Sequence, residues 1–411
     1  MSTSERITIK GRHYETGEPV RLQLESGRIA KIEAGADIDE GMGSSADVAA
    51  LTARSPLPFL GPGLVDLQIN GYGGIDLNTL PLEREQVSRL VRLVAAEGVT
   101  SFYPTIITNS DAHTTALLRT LAAVCEADPL ATACMPGFHL EGPYISPQDG
   151  PRGAHRADYV CPPDWEQLER WQEAAGGRIR LLTLSPEWDG AEPFIRRCVS
   201  AGIRVAIGHT AATSEQIRRA VHAGATLSTH LGNAAHLTLP RHPNYIWDQL
   251  AEDGLWASLI ADGFHLPEAF LKVALRIKGP RAFLVSDAAH LAGMPPGRYL
   301  THIGGEVVLQ PSGKLHMAEN ERYLAGSAQM LPAGIAHLAR SGLCPLAEAW
   351  NRASCYPAEF AGISGLSAGL SVGVPADLTL FHWDGRSISI KTVYKNGQLL
   401  YESAPGKETN P

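Results

Sequence analysis

Eight apolar runs of strand length recur along the middle of the chain, at residues 64–70, 99–105, 135–141, 180–185, 203–209, 225–230, 257–265 and 283–287. Apolar residues are nearly continuous in them, as expected of strands buried on both faces. Amphipathic stretches follow most of the runs, among them 83–97, 214–223 and 267–276, with Thr213 or Ser214 placed to cap the second. Eight such units in succession predict an α/β chain closed into a parallel (β/α)8, TIM-like barrel. An open doubly wound sheet has the same alternation, so periodicity alone does not exclude it.

The two ends of the chain read differently. Residues 5–33 and 374–401 alternate apolar and polar positions, with turns at Glu25-Ser26-Gly27 and Asn396-Gly397. The ends are therefore expected to pair into a small β-sandwich domain, residues 1–58 plus 374–411, beside a barrel spanning 59–373. Residues 41–58 are rich in Gly, Ser, Ala and Pro and read as a linker.

Composition narrows the partners. With 411 residues and 44% hydrophobic residues the chain can bury a large core. A formal net charge of -8 argues against nucleic acid and anionic membranes as partners. No signal-peptide h-region or bilayer-length apolar run is present. The six cysteines are scattered without a C-x-x-C pair, which fits free thiols and a cytoplasmic location.

Polar residues gather at the ends of the apolar runs. Gln68 and Asn70 end the first, His139 and Glu141 the third, His209 the fifth and His230 the sixth. Asp262 and His265 end the seventh and Asp287 the eighth. In a barrel all these ends meet at one face, where catalytic groups collect. Glu141, His209 and His230 make a carboxylate and two imidazoles, a common set for a catalytic zinc; iron, manganese or cobalt use the same ligands. A metal there lowers the pKa of its water to about 7. Asp287 is then the candidate general base and, later, general acid. The bland alternatives are a structural Glu141 within LEGPYISP and an Asp287 that caps the next segment; four strands delivering suitable groups to one rim outweigh them.

Several motifs are specific enough to carry a family resemblance. PGLVDLQINGYGG (62–74) resembles the first-strand motif of the amidohydrolase superfamily. GFHLEGPYISPQDGPRGAH (137–155) is similar to the metal-glutamate motif of N-acetylglucosamine-6-phosphate deacetylases. AIGHTAAT, STHLGNAAH, IADGFHLP, LVSDAAHLAGMPPGRY, LAGSAQML and VGVPADLTLF follow in the family's order, so the likeness covers nearly the whole chain. It implies Glu141, His209 and His230 as ligands of one divalent ion per subunit, and Asp287 as the catalytic aspartate. It implies His155 as the group that helps polarise the amide carbonyl. Asn233 and Ala234 would contact the sugar, and His265 would reach it from the neighbouring subunit of a homodimer. The implied reaction hydrolyses the N-acetyl group of a small amino sugar, N-acetylglucosamine 6-phosphate, to acetate and the amine.

Two departures stand out. Many superfamily members carry His-x-His on the first strand and bind two metals, but here that place holds Gln68-Ile69-Asn70. Amides are poor ligands beside imidazole, so one ion is expected, with Gln68 and Asn70 near it as hydrogen-bonding groups. The family also places a phosphate-binding arginine after His-Leu-x-Asn-Ala. Arg241 is the one arginine in HLGNAAHLTLPRHPNYIWDQL, in unfamiliar surroundings. If it does not bind phosphate, a different or unphosphorylated N-acyl sugar is the alternative substrate.

Other chemistries fit less well. Two overlapping G-x-S-x-G matches, GLSAG and GLSVG around Ser367 and Ser371, lack the strand–turn–helix setting of a nucleophile elbow. Cyclic amidases often use a carboxylated lysine at the end of the fourth strand, and residues 180–187 hold none. A non-catalytic protein retaining the fold is the remaining alternative.

Overall fold

The computed structural model describes residues 6–35, 57–301 and 305–404. Among them, eight parallel strands follow one another around a barrel in sequence order: Leu64–Ile69, Val99–Ile107, Phe138–Glu141, Ile179–Leu184, Arg204–Ile207, Ala225–Ser228, Trp256–Leu259 and Ala282–Leu284. Each lies within or overlaps one of the eight apolar runs. The barrel, not an open sheet, is therefore the fold. Its seam closes where the eighth unit returns to the first: the Asp287 N–H donates to the Gln68 carbonyl at 3.0 Å, and the Asn70 N–H to the Ala288 carbonyl at 2.9 Å.

Local sequence explains the helices that separate the strands. Ser214–Ala223 starts with a reciprocal capping box between Thr213 and Gln216 and ends at Gly224, whose φ of 111° suits a glycine. Its Ile217, Ala220 and Ala223 are buried against the barrel while Glu215, Arg218 and Arg219 face water. Inside the barrel, Val65, Leu67, Tyr103, Leu181, Leu227 and Phe283 form an apolar plug beneath the polar rim.

Both chain ends join one seven-stranded sheet, which also takes in Phe59–Pro62. Ile7–His13, Pro19–Glu25 and Arg28–Ala34 lie at one side, and Leu378–Trp383, Ile388–Lys395 and Gln398–Glu402 at the other. Asn396 and Gly397, with φ of 49° and 74°, make the tight turn. Of the segment 41–58 read as a linker, all but residues 57 and 58 lies outside the described residues.

One element has no counterpart in the sequence reading. After the eighth strand, Gly297–Thr301, Gly305–Leu309, Leu315–Met317 and Asn320–Leu324 form a four-stranded antiparallel sheet. Its far end returns at Leu324, Ala325 and Gly326 to the rim of the barrel, where they line the main cavity. The G-x-S-x-G stretches fold as a surface turn around Leu366–Ala368, with Ser371 Oγ donating to the Ala368 carbonyl; they form no nucleophile elbow.

Candidate functional site

Glu141 is the last residue of the third strand and is buried. His209 and His230 lie two residues beyond the fifth and sixth strands. Their side chains converge. His209 Nε2 stands 3.2 Å and His230 Nε2 2.9 Å from Glu141 Oε1, and the two nitrogens are 3.0 Å apart. Asp287, partly buried at the cavity wall, receives a hydrogen bond from Asn70 Nδ2 at 2.7 Å. Gln68 Nε2 donates to Glu141 Oε1 at 2.8 Å.

Backbone conformation carries a cost here. His209, His230, Ala234 and Asp287 all have positive φ, at 48°, 31°, 47° and 48°. Non-glycine residues rarely adopt that region, and such strain gathers where a side chain must be aimed. The turn out of each strand is thus distorted to send the side chain across the barrel mouth.

The donor set fits a divalent cation. Donors about 2.1 Å from a tetrahedral ion stand roughly 3.4 Å apart, close to the spacing of this triangle. His209 Nδ1 lies 3.0 Å from the Pro151 carbonyl. A carbonyl only accepts, so Nδ1 carries the proton and Nε2 offers a lone pair, the arrangement typical of a ligating imidazole. The donor atoms of Glu141, His155 and His209 also lie within 4.8 Å of one another. His155 is the looser member, its Nε2 4.0 Å from Glu141 Oε2, and its Nδ1 pairs with Thr108 Oγ1 at 2.7 Å.

Charges in the cluster are strongly coupled. Burial opposes ionisation of Glu141, yet the hydrogen bonds and charges of His209 and His230 hold its carboxyl well below the ordinary range. Burial likewise opposes protonation of His230, and Glu141 overcomes it, raising the pKa. For Asp287 the charges of His230 and His265 and the Asn70 hydrogen bond favour ionisation but do not prevail. Burial first, and then the charge of Glu141, push it up to about 6. Burial, reinforced by His209, takes His155 down to about 3, so its ring is neutral near pH 7.

These groups open into a cavity of about 590 Å³ that is also lined by Asn233, Ala234 and His265. Asn233 Nδ2 turns back to the His230 carbonyl at 3.2 Å. His265 lines the cavity of its own chain, its Nδ1 2.7 Å from Asp262 Oδ2. Arg241 is the expected residue that the structure leaves out: it is exposed and does not line the cavity.

Sequence reasoning passed over several lining or supporting residues. Thr108, which holds His155, directly follows the second strand and carried no motif. Asp76 Oδ2 and His290 Nδ1 lie 3.2 Å apart at the cavity wall. His236 lines it too, and stood in plain view as the last residue of STHLGNAAH. Asp66 is buried at the seam, where Ser286 N–H and Gln68 N–H donate to its carboxylate.

Comparison with known proteins agrees with this geometry. The Amidohydrolase family model matches residues 59–400. N-acetylglucosamine-6-phosphate deacetylase of Bacillus subtilis is 32% identical over 326 residues, 79% of this chain and 80% of that protein. N-acetylgalactosamine-6-phosphate deacetylase of Escherichia coli is 30% identical over 83% of this chain and 87% of its own length. A mutant N-acetyl-D-glucosamine-6-phosphate deacetylase from Mycobacterium smegmatis, solved in complex with N-acetyl-D-glucosamine-6-phosphate, superposes with a TM-score of 0.80. It is 27% identical, and the match covers 96% of this chain and 99% of that one.

Proposed function

The chain belongs to the amidohydrolase family, hydrolases of carbon–nitrogen bonds, and on that premise we propose that it removes the acetyl group of N-acetylglucosamine 6-phosphate, releasing acetate and the free amino sugar. The observation that carries this reading is the convergence of Glu141, His209 and His230 beside the cavity-lining acid Asp287.

Glu141, His209 and His230 would hold one divalent ion, and zinc suits a carboxylate with two imidazoles best. When bound, the ion supplies Lewis acidity at the acetyl carbonyl and makes water a stronger nucleophile near neutral pH. Asp287 takes the proton of the attacking water and returns it to the departing sugar nitrogen. A carboxylate with its pKa raised to about 6 is matched to both tasks. His155, buried and oriented by Thr108, donates toward the oxygen on which negative charge develops. Gln68 and Asn70 are the hydrogen-bonding supports of the two carboxylates.

Asn233, Ala234 and His265 form the sugar-facing wall. All six cysteines are free thiols, which supports a reducing, cytoplasmic setting. No helix among the described residues is long and apolar enough to cross a membrane. We extend the reading to a homodimer on the family resemblance alone.

The test is acetate release from N-acetylated glucosamine and galactosamine, each with and without the 6-phosphate, by protein of measured metal content. Activity on at least one phosphorylated sugar, abolished by chelation and by Glu141→Ala, is expected. No acetate from any of the four by metal-replete protein sinks the proposal.

A further inference from the structure

The fourth strand differs from the others at the barrel mouth. The rest each send a side chain to the cavity wall, from the strand or from the turn after it, whereas no described residue of 179–187 lines it. The end of this strand nevertheless carries a carboxylate, and it is turned toward the neighbouring units. Glu187 Oε1 accepts Ser146 Oγ at 2.9 Å and Gln148 Nε2 at 3.5 Å, both on the loop that follows Glu141. Glu187 Oε2 accepts Ser185 Oγ at 2.7 Å and the Ala211 N–H at 2.8 Å, two residues past His209. One side chain thus joins the turns that leave the third, fourth and fifth strands. These donors are all neutral, and an ionised acceptor binds them more strongly than a neutral one would. Glu187 is itself held in place. Trp188 Nε1 donates to the Ile145 carbonyl at 2.9 Å, and Gln216 Nε2 to the Glu187 carbonyl at 3.3 Å.

The residue that depends most on this junction is His209. Its φ of 48° is a conformation that a non-glycine residue keeps only where its surroundings impose it. The backbone is fastened on both sides of it. The His209 carbonyl accepts the Ser146 N–H at 2.8 Å, and the Ser146 hydroxyl is bound to Glu187. Beyond His209, Thr210 Oγ1 pairs with Ser185 Oγ at 2.7 Å and accepts the Ala212 N–H at 3.0 Å, while the Ala211 N–H ends on Glu187. His230 also has a positive φ, but it is fastened differently. Its N–H donates to Ser258 Oγ at 2.8 Å, and the Leu231 N–H to the Ser258 carbonyl at 2.9 Å. The Glu187 carboxylate therefore bears on one corner of the Glu141–His209–His230 triangle through the backbone of that corner.

From these contacts we propose that Glu187 is a positioning residue of the metal site. It holds His209 in the strained turn that aims Nε2 at Glu141 and His230, and so raises the affinity of the triangle for a divalent ion. The inference rests on the reading of Glu141, His209 and His230 as ligands. Glu187 itself contacts neither the ion nor the substrate. Groups that orient a ligand from behind are typically worth about ten- to hundredfold in metal affinity.

The experiment measures the zinc dissociation constant of the metal-stripped full chain by competition with a chromophoric chelator. Glu187→Ala should weaken zinc binding about ten- to hundredfold, and Glu187→Gln, which keeps one acceptor oxygen, should fall between it and the wild type. Nitrogen–proton correlation spectra of the histidine rings, assigned with His209→Ala, should show His209 protonated at Nδ1 in the wild type, where the Pro151 carbonyl accepts at 3.0 Å, and a mixture of tautomers in Glu187→Ala. Asp377→Ala, which breaks the buried pair with Lys395 at the terminal sheet, lowers stability without touching these contacts and should leave the zinc constant unchanged. Circular dichroism establishes that each variant is folded, and Glu187→Gln decides the matter if Glu187→Ala is not. A zinc constant unchanged in the folded Glu187 variants, or an equal loss in Asp377→Ala, overturns the inference and leaves the deacetylase reading standing. Zinc binding that is absent in the wild type, or unaffected by His209→Ala, overturns the ligand reading itself.

Discussion

Asn70 Nδ2 donates to Asp287 Oδ1 at 2.7 Å, and this contact ties the first strand's last polar side chain to the acid that ends the eighth. Two residues earlier, Gln68 does the same for Glu141 at 2.8 Å. Where many superfamily members place two imidazoles on the first strand, this chain places two amides, and each holds one carboxylate of the site. On the one-ion reading proposed above, these positions would supply orientation in place of a second metal site.

Removing the amide of Asn70 should therefore act on Asp287. A donor to the charged form favours ionisation, so Asn70→Ala raises the Asp287 pKa further and leaves less base at any given pH. The acid limb of kcat/KM should move upward by a measurable fraction of a pH unit, so that activity falls several-fold below about pH 6 and by less than about twofold near neutral pH. A lower kcat with an unmoved acid limb would show that Asn70 does not act through the carboxylate.

Asp287→Asn preserves shape and removes the titratable group. Turnover should drop by about 10²–10⁴-fold, while metal content, read by elemental analysis, stays at one ion per chain. Turnover within a few-fold of the wild type would eliminate Asp287 as the proton carrier.

The carboxyl of Asp287 should itself titrate near 6 in the metal-free protein, because burial and the charge of Glu141 both penalise its ionisation. A cation beside it has the opposite sign of effect and favours the charged form. Carboxyl-carbon NMR of aspartate-labelled protein, with Asp287→Asn for assignment, should show a pKa of about 6 that falls on adding a divalent ion. An ordinary value near 4 in the metal-free protein, or a rise on adding metal, contradicts the arrangement.

The eight strands were legible because strands buried on both faces must be apolar throughout; their closure into a barrel, which an open doubly wound sheet matches in periodicity, shows only in the seam from Asp287 N–H to the Gln68 carbonyl. The site was legible for the same geometric reason: polar residues that interrupt a buried run at its end, as Glu141 and Asp287 do, have few roles besides chemistry. What the sequence hid depends on loop paths. Thr108 reaches His155 across 47 positions of chain only because the 142–155 loop folds back over the rim. Arg241 swings out to solvent in a loop whose course no periodicity records. The four-stranded insertion was missed because its strands are short and half-exposed. Arg298, Glu306, Glu321 and Arg322 break the apolar alternation that would have announced it.

The last prediction concerns what fastens the terminal sheet to the barrel. Lys395 Nζ, nearly fully buried, donates to Asp377 Oδ2 at 2.7 Å and to Ser101 Oγ on the second barrel strand at 2.9 Å. The other carboxylate oxygen accepts the Asn396 N–H at 2.8 Å, at the hairpin that closes the sheet. A buried pair gains little over an apolar replacement, but a buried charge left without its partner costs about 3–5 kcal/mol. Asp377→Ala strands the ammonium of Lys395 and should lower the free energy of urea unfolding by about that amount. Asp377→Leu combined with Lys395→Met removes both charges together and should recover most of the loss. Equal destabilisation of the single and double variants would mean that the hydrogen bonds to Ser101 and Asn396, not the desolvated charge, dominate this junction.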